Sequence, residues 1–130
     1  MDAPRWIGLA VVLALHDEQL AEHGGAAGLR DAGLLDSALD RPKNLLAYGT
    51  PDLAALAAAY GFGLIRNHPF VDGNKRVAFV VTETFLALAG QEIAADGAEC
   101  LSTWLSLAAG AMPEDELAAW LRLRLRPIVE

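Results

Sequence analysis

One short stretch of the chain gathers most of the side chains that could perform chemistry. Its sequence, HPFVDGNKR, spans residues 68–76 and combines an imidazole, a carboxylate, an amide and two cations. Arg66 lies two residues before it, and Asp72 is the only acid between residues 53 and 82. The whole protein has a net charge of −7, so this stretch is a basic island in an acidic chain. A basic island of this kind predicts an anionic ligand.

The glycine and the two cations stand where a helix is expected to begin. A helix N-terminus leaves backbone N–H groups unpaired and carries partial positive charge, which favours anions. Gly73 has no side chain to keep an anion away from those groups. Lys75 and Arg76 oppose the helix dipole by about 0.3–1 kcal/mol each, so stability alone does not explain them. We therefore expect a phosphate ligand at this point.

The acid and the histidine of the stretch each allow two interpretations. Asp72 precedes the expected helix, and its residue type alone favours a role as N-cap. It can instead bind Mg²⁺, an ion that typically takes one or two carboxylates together with substrate phosphates. His68 can be a core histidine or a general base, since histidine titrates near neutral pH. The neighbouring phosphate site favours the general base.

Residues 68–76 resemble the signature loop of the Fic/Doc superfamily. The pattern of that loop is His-x-Phe-x-acid-Gly/Ala-Asn-x-Arg at the start of a central helix, and every fixed position is present here. Residues 15–42 are similar to the segment upstream of the loop in the death-on-curing (Doc) branch. Helix order and length also match, so the chain is identified as a single Fic/Doc domain over residues 1–130.

The resemblance implies a role for each residue of the stretch, with ATP and Mg²⁺ as cofactors. His68 would deprotonate a target hydroxyl, and Asp72 would hold Mg²⁺ on the nucleotide phosphates. Arg66 would assist in placing substrate or phosphate. The remaining residues would bind the phosphates through backbone and side chain: Gly73, Asn74, Lys75 and Arg76.

The resemblance leaves the transferred group open between two enzymatic alternatives. Fic enzymes generally transfer AMP to a protein hydroxyl, whereas the Doc toxin phosphorylates a threonine of elongation factor Tu and arrests translation. Pro69 and Gly73 are typical of the AMP-transferring loop, but Lys75 is typical of Doc. Phe79 stands where AMP-transferring members carry a second arginine, which favours the kinase. A module that only binds a partner, without catalysis, is the alternative from another class.

The resemblance also implies a protein inhibitor. Many Fic enzymes carry an inhibitory [Ser/Thr]-x-x-x-Glu helix, and no serine or threonine of this chain has a glutamate four residues later. Inhibition is therefore expected from another chain, as with the Phd antitoxin of the Doc system. A disordered antitoxin segment would fold into a groove beside the active site.

These residues need a scaffold, and the sequence predicts an all-α, compact helical bundle. Alanine and leucine dominate over Val, Ile and Thr, which favours helix over strand. Gly and Pro divide the chain into about six helices around a central one that carries the loop at its N-terminus. Asp31 and Asp52 are expected N-caps, and Pro42, Gly90 and Pro127 are expected to end helices. The predicted helices span about residues 4–22, 31–39, 53–67, 73–88, 97–110 and 113–126, with a turn or short helix at 43–48.

Composition excludes several other classes of protein. The 130 residues are 54% hydrophobic, enough for one folded domain, and a single cysteine excludes an internal disulfide. The longest apolar run, residues 6–15, is about half the roughly 20 residues of a membrane span, so we expect a soluble cytoplasmic protein. Acidic charge argues against direct binding of nucleic acid.

Other conspicuous side chains have structural interpretations. His16 and His23 are expected on a solvated helix face rather than in a metal cluster, and Cys100 is expected to be an inert buried thiol. Three arginines are expected to spread around the solvated end of the last helix, and three tryptophans to serve in packing. The arginines are Arg122, Arg124 and Arg126, and the tryptophans are Trp6, Trp104 and Trp120.

Overall fold

The computed structural model describes residues 3–129, which form six helices and one small antiparallel sheet. The elements are α1 Leu9–His23, α2 Ala32–Ala47, α3 Leu53–Asn67, α4 Asn74–Leu88, β1 Gln91–Ile93, α5 Gly97–Ala108, α6 Glu114–Arg122 and β2 Leu125–Pro127. The predicted all-α bundle is confirmed, because the sheet consists of two three-residue strands. None of the described helices is long and apolar enough to cross a membrane.

Helices α3 and α4 form the centre of the molecule. α3 packs against α2, α4 and α6, and α4 also contacts α1. Alanines and glycines give α3 a small surface, so its neighbours approach closely: a Cβ on Gly61 would lie 2.8 Å from the hydroxyl oxygen of Thr82. Four residues along α3 are fully buried in this centre, namely Leu56, Ala57, Tyr60 and Leu64.

Three predicted helix boundaries are confirmed, two by capping hydrogen bonds and one by a backbone conformation. The Asp31 carboxylate accepts a bond from the Leu34 N–H at 3.0 Å, which caps α2. Asp52 caps α3 in the same way, with the Ala55 N–H at 2.9 Å. Gly90 follows α4 in a left-handed conformation with φ 77°, as expected of a glycine that ends a helix.

The first helix starts later than predicted. α1 begins at Leu9 rather than near residue 4. Ile7 is buried before the helix starts, and its N–H donates to the Tyr60 hydroxyl at 2.9 Å. A tertiary bond therefore satisfies this backbone group, and Ile7 enters the core from a segment without regular secondary structure.

Pro42 does not end a helix, so the predicted break there is wrong. α2 continues through it to Ala47, which absorbs the separate turn expected at residues 43–48. Pro42 is buried, together with Ala38 and Leu39 one turn before it. Burial of this face of α2, which packs against α3, offsets the backbone hydrogen bond that proline cannot donate.

The C-terminal segment also differs from the prediction. α6 ends at Arg122, and β2 pairs antiparallel with β1, so that Glu92 lies opposite Arg126. Strands of three residues are too short to produce a hydrophobic period, and nothing in the sequence signals them. The three C-terminal arginines therefore do not spread around one helix, because the chain leaves α6 after Arg122. Each of them contacts an acid: Arg122 with Asp52, Arg124 with Glu99 and Arg126 with Glu92.

Candidate active site

His68 sits at the junction of the two central helices, where α3 ends. It is the C-cap of α3, with its N–H donating to the Leu64 carbonyl at 3.2 Å. Its backbone is left-handed, with φ 49° and ψ 55°, and within residues 3–129 it is the only non-glycine residue with positive φ. Such a conformation persists only where the surrounding structure enforces it, and it is enriched at functional sites.

The loop after His68 is anchored in the core by Phe70 and Asn74. Phe70 is buried, and both its N–H and its carbonyl bond to the Asn74 side-chain amide, at 3.0 and 2.9 Å. Asn74 is itself buried, so its side chain is committed to holding the loop. Its backbone N–H belongs to the first turn of α4, where it can contact a phosphate.

The N-terminus of α4 is left without a side-chain cap. Gly73 occupies the N-cap position with φ 78°, and among the described residues no side chain makes a capping hydrogen bond to this helix. The N–H groups of the first turn therefore keep their capacity for an anion. Lys75 on this turn is exposed and Arg76 is half-buried, with its Nη1 3.3 Å from the Gly24 carbonyl oxygen.

Asp72 does not make the bond of an N-cap, which would reach into the first turn of α4. Its Oδ1 accepts from the Gly73 N–H and its Oδ2 from the Ala26 N–H, both at 3.1 Å. The bonds from Ala26 and from Gly73 lower the pKa of the Asp72 carboxyl, which is therefore ionised at neutral pH.

The surroundings of Asp72 suit a divalent cation held jointly with phosphate. Each of its oxygens accepts one bond and retains a further lone pair for a metal. Within the described residues no three His, Cys, Asp or Glu side chains lie together as a metal cage. A carboxylate of this kind fits Mg²⁺, which usually takes its other ligands from water and phosphate.

A cleft of about 790 Å³ joins these groups. The signature loop and the first turn of α4 line one side, from His68 and from Asp72 to Arg76. The opposite wall is mostly apolar and comes from β1 and α5, with Ile93, Leu101 and Trp104. Arg66 is not among the lining residues: it is exposed, with its guanidinium 5.8 Å from the centre of the Phe62 ring. The fold thus brings together every predicted site residue except Arg66.

Two acidic groups add to the chemistry of the cleft wall. Glu83 is an exposed residue, but partial burial of its carboxyl group raises the pKa of that group. Cys100 lines the same wall and is half-buried, so the thiol predicted to be buried keeps some exposed surface. Burial, followed by the nearby Glu83 carboxylate, raises the pKa of Cys100, which keeps it in the unreactive thiol form. As expected, Trp104 is used for packing, edge-on against Trp120 at 6.3 Å.

Two functional contacts were not predicted from the sequence. Arg30 donates from Nε to the His68 carbonyl at 2.7 Å and from Nη2 to the Asn67 carbonyl at 2.8 Å. It thereby satisfies carbonyls at the C-terminus of α3, where a cation is favoured. His16 is buried rather than solvated, and its Nε2 lies 2.7 Å from the Asp72 carbonyl oxygen. The predicted solvated position is wrong for His16 but correct for His23, which is exposed.

Comparison with known proteins matches the sequence of this chain to a family. The model of the Fic/DOC family matches residues 6–86 of the chain. A protein of Mycolicibacterium smegmatis named Toxin Doc is 47% identical over 76 residues, which cover 56% of this chain and 58% of that protein. A protein of Escherichia phage P1 named Protein kinase doc is 30% identical over 119 residues, covering 91% of this chain and 94% of that protein.

Proposed function

The chain belongs to the Fic/DOC family, and from this premise we propose that it is a Doc-like toxin with protein kinase activity. It would transfer the terminal phosphate of ATP to a serine or threonine hydroxyl of a translation factor similar to elongation factor Tu. Translation would stop as a consequence. The names of the two relatives, a toxin and a protein kinase, support this activity.

One observation carries the proposal: an exposed imidazole and an uncapped, cationic helix start line the same cleft. Phosphoryl transfer depends mainly on positioning and on stabilising charge. The first-turn N–H groups of α4, with Lys75 and Arg76, would bind the phosphates. Gly73 would allow them to approach the backbone.

The residues of the chain would act on the acceptor hydroxyl in a single displacement. His68 accepts the hydroxyl proton while the hydroxyl oxygen forms a bond to the γ-phosphorus of ATP. The bond between that phosphorus and the bridging oxygen breaks, and ADP leaves with the electron pair. Mg²⁺, when bound at Asp72, would neutralise charge on the phosphates. Arg66 has no assigned contact in this scheme, since it does not line the cleft.

Transfer of AMP is the enzymatic alternative, and Phe79 argues against it. Phe79 lines the cleft and packs edge-on against Trp104, with ring centroids 4.8 Å apart. An aromatic ring at this position cannot neutralise the terminal phosphates, as a second arginine would in the AMP-transferring orientation. The family as a whole leaves AMP transfer open, so the experiment must distinguish the two products.

We further propose a Phd-like antitoxin as the partner that restrains the toxin. The apolar wall of the cleft leaves Leu101 61% and Leu105 48% exposed. Exposed leucines beside a polar site are typical of a surface that a partner covers. A disordered segment that folds onto this wall would bury them next to the phosphate site.

Mass spectrometry of elongation factor Tu incubated with the protein and Mg·ATP tests the proposal. We expect a phosphate on one serine or threonine, with no product from His68→Ala. His23→Ala provides the matched control, because His23 is an exposed histidine outside the cleft, and it should behave as wild type. An adenylate on the acceptor would establish AMP transfer. Growth arrest that persists unchanged in His68→Ala would support the module that only binds.

A further inference from the structure

His16 is a buried histidine that the proposed transfer step does not use. It lies on α1 and is 3% exposed. Its ring stacks on Phe70, with centroids 3.7 Å apart and planes 11° from parallel. Its Nε2 lies 2.7 Å from the backbone carbonyl oxygen of Asp72. The ring thus contacts the signature loop twice, once through its face and once through a nitrogen.

The partner of Nε2 determines which atom carries the proton. A carbonyl oxygen can only accept a hydrogen bond, so Nε2 of His16 must be protonated and must donate. An apolar side chain could fill the same place beside Phe70 without any polar group to satisfy. The specific contribution of the imidazole is therefore the bond that it donates to the loop.

That bond fixes the orientation of one peptide unit. The carbonyl of Asp72 and the N–H of Gly73 belong to the same planar group and point in opposite directions. The Gly73 N–H donates to Oδ1 of the Asp72 side chain at 3.1 Å. Gly73 has φ 78°, and glycine tolerates both signs of φ, so this peptide has less steric resistance to rotation than its neighbours.

We propose that His16 is a positioning residue that locks the Asp72–Gly73 peptide in the orientation needed to bind Mg·ATP. With the carbonyl held by His16, the Gly73 N–H stays on the side of the Asp72 carboxylate and the helix start. A flipped peptide would turn a carbonyl oxygen, which repels anions, toward that side. The inference rests on the proposed function for its ligand, but the locked peptide can be measured without any transfer reaction.

Two substitutions separate the hydrogen bond from the ring. His16→Phe keeps an aromatic ring to stack on Phe70 and removes the donor. His16→Gln removes the ring and keeps an N–H donor at a similar reach. His23→Phe is the matched control, since it makes the same change on the same helix at an exposed position whose ion-pair contact, at 3.9 Å, is with Glu22.

Two measurements compare these variants with the wild type: the calorimetric affinity for Mg·ATP and the NMR signal of the Gly73 amide. The melting temperature shows whether each variant is folded. We expect His16→Phe to weaken Mg·ATP binding about tenfold, the upper range of a single hydrogen bond, and to shift or broaden the Gly73 signal. His16→Gln should recover most of the affinity, and His23→Phe should match wild type. Recovery by Gln is the outcome that a purely structural role of the ring does not produce.

The wild-type protein provides an independent check if His16→Phe fails to fold. Its spectrum should contain a slowly exchanging imidazole N–H signal from His16 Nε2, and a rapidly exchanging one would overturn the inference. Equal loss of affinity in the Phe and Gln variants would also overturn it. If wild type binds Mg·ATP and responds as expected but transfers nothing to a protein, the kinase proposal fails and the positioning role stands. If wild type binds no Mg·ATP, both fail.

Discussion

At the scale of single residues, the side chains of Asp72 and Asn74 have different roles in the signature loop. The side chain of Asn74 is buried and bonded twice to Phe70, so it maintains the shape of the loop. The carboxylate of Asp72 is exposed on the cleft and retains lone pairs. Two neighbouring polar residues of the same motif therefore have different tasks, and substitutions should separate them.

Replacing Asp72 with Asn should remove the proposed metal site while preserving the fold. The amide retains one oxygen that can accept an N–H but loses the negative charge that attracts Mg²⁺. Because loss of an outer-shell partner alone costs about 10–100-fold in metal affinity, we expect at least about 100-fold weaker Mg²⁺-dependent ATP binding. Calorimetry with and without Mg²⁺ measures this, and equal affinity of variant and wild type would contradict the role of Asp72.

Replacing Asn74 with Ala should mainly lower the stability of the fold. The change leaves the N–H and the carbonyl of the buried Phe70 without their partner, at a cost of about 1–3 kcal/mol for a buried group. Thermal or urea unfolding measures the free energy of unfolding. An Asn74→Ala protein with wild-type stability but no ATP binding would instead assign the amide a direct contact with phosphate.

At the scale of the elements, the boundaries that local chemistry defines could be predicted from the sequence. Asp31 and Asp52 cap the helices that their positions indicated, and Gly90 follows α4 as expected. Pro42 could not be placed correctly, because burial against another helix outweighs the local rule. The two short strands, which pair residues more than thirty positions apart, leave no periodic signal.

The site shows the same division between local and tertiary information. His68 and residues 72–76 form one continuous motif, so the sequence predicted their proximity. Arg66 is only two residues from His68, but the helical turn of α3 directs it to Phe62 and away from the cleft. His16 and Arg30 reach the loop from distant parts of the chain, and no spacing rule relates them to it.

Asp52 should couple the stability of α3 to pH. Arg122 donates to both of its oxygens, at 2.5 and 3.0 Å, and this bond is the main reason that the pKa of Asp52 is lowered. A carboxyl whose pKa falls on folding contributes stability above its ordinary pKa and loses it as pH falls through the lowered value.

The variant Asp52→Asn keeps the cap but loses the ion pair. At neutral pH we therefore expect its free energy of unfolding to be about 0.2–1 kcal/mol lower than that of the wild type. The difference from wild type should disappear in acid, below the lowered pKa. Asp31→Asn is the matched control, because Asp31 caps α2 in the same way. A difference that persists unchanged in strong acid would show that the ion pair is not its cause.

At the scale of the whole molecule, the cleft combines a cationic end with an apolar wall in an otherwise acidic protein. In the proposed function, the cationic end would bind nucleotide, and the exposed leucines of α5 would bind an antitoxin segment. A partner segment on the apolar wall would then lie beside the proposed nucleotide site in the same cleft.

Placing a charge on this wall should weaken the antitoxin complex. Leu101→Asp would force a carboxylate into the apolar contact, and we expect at least a tenfold loss of affinity for the Phd-like partner, as for a residue at the centre of an interface. Leu123→Asp is the control, since Leu123 is 84% exposed and does not line the cleft. Antitoxin binding by Leu101→Asp at wild-type affinity, measured by calorimetry, would locate the interface elsewhere.

The most direct test of the central claim follows the labelled phosphorus of ATP. The protein is incubated with its acceptor and with ATP labelled at either the γ- or the α-phosphorus. We predict that only the γ-label becomes attached to the acceptor, and that Asp72→Asn and His68→Ala abolish its attachment. Attachment of the α-label would contradict the kinase assignment, and attachment of the γ-label by His68→Ala at the wild-type rate would contradict the role of the imidazole.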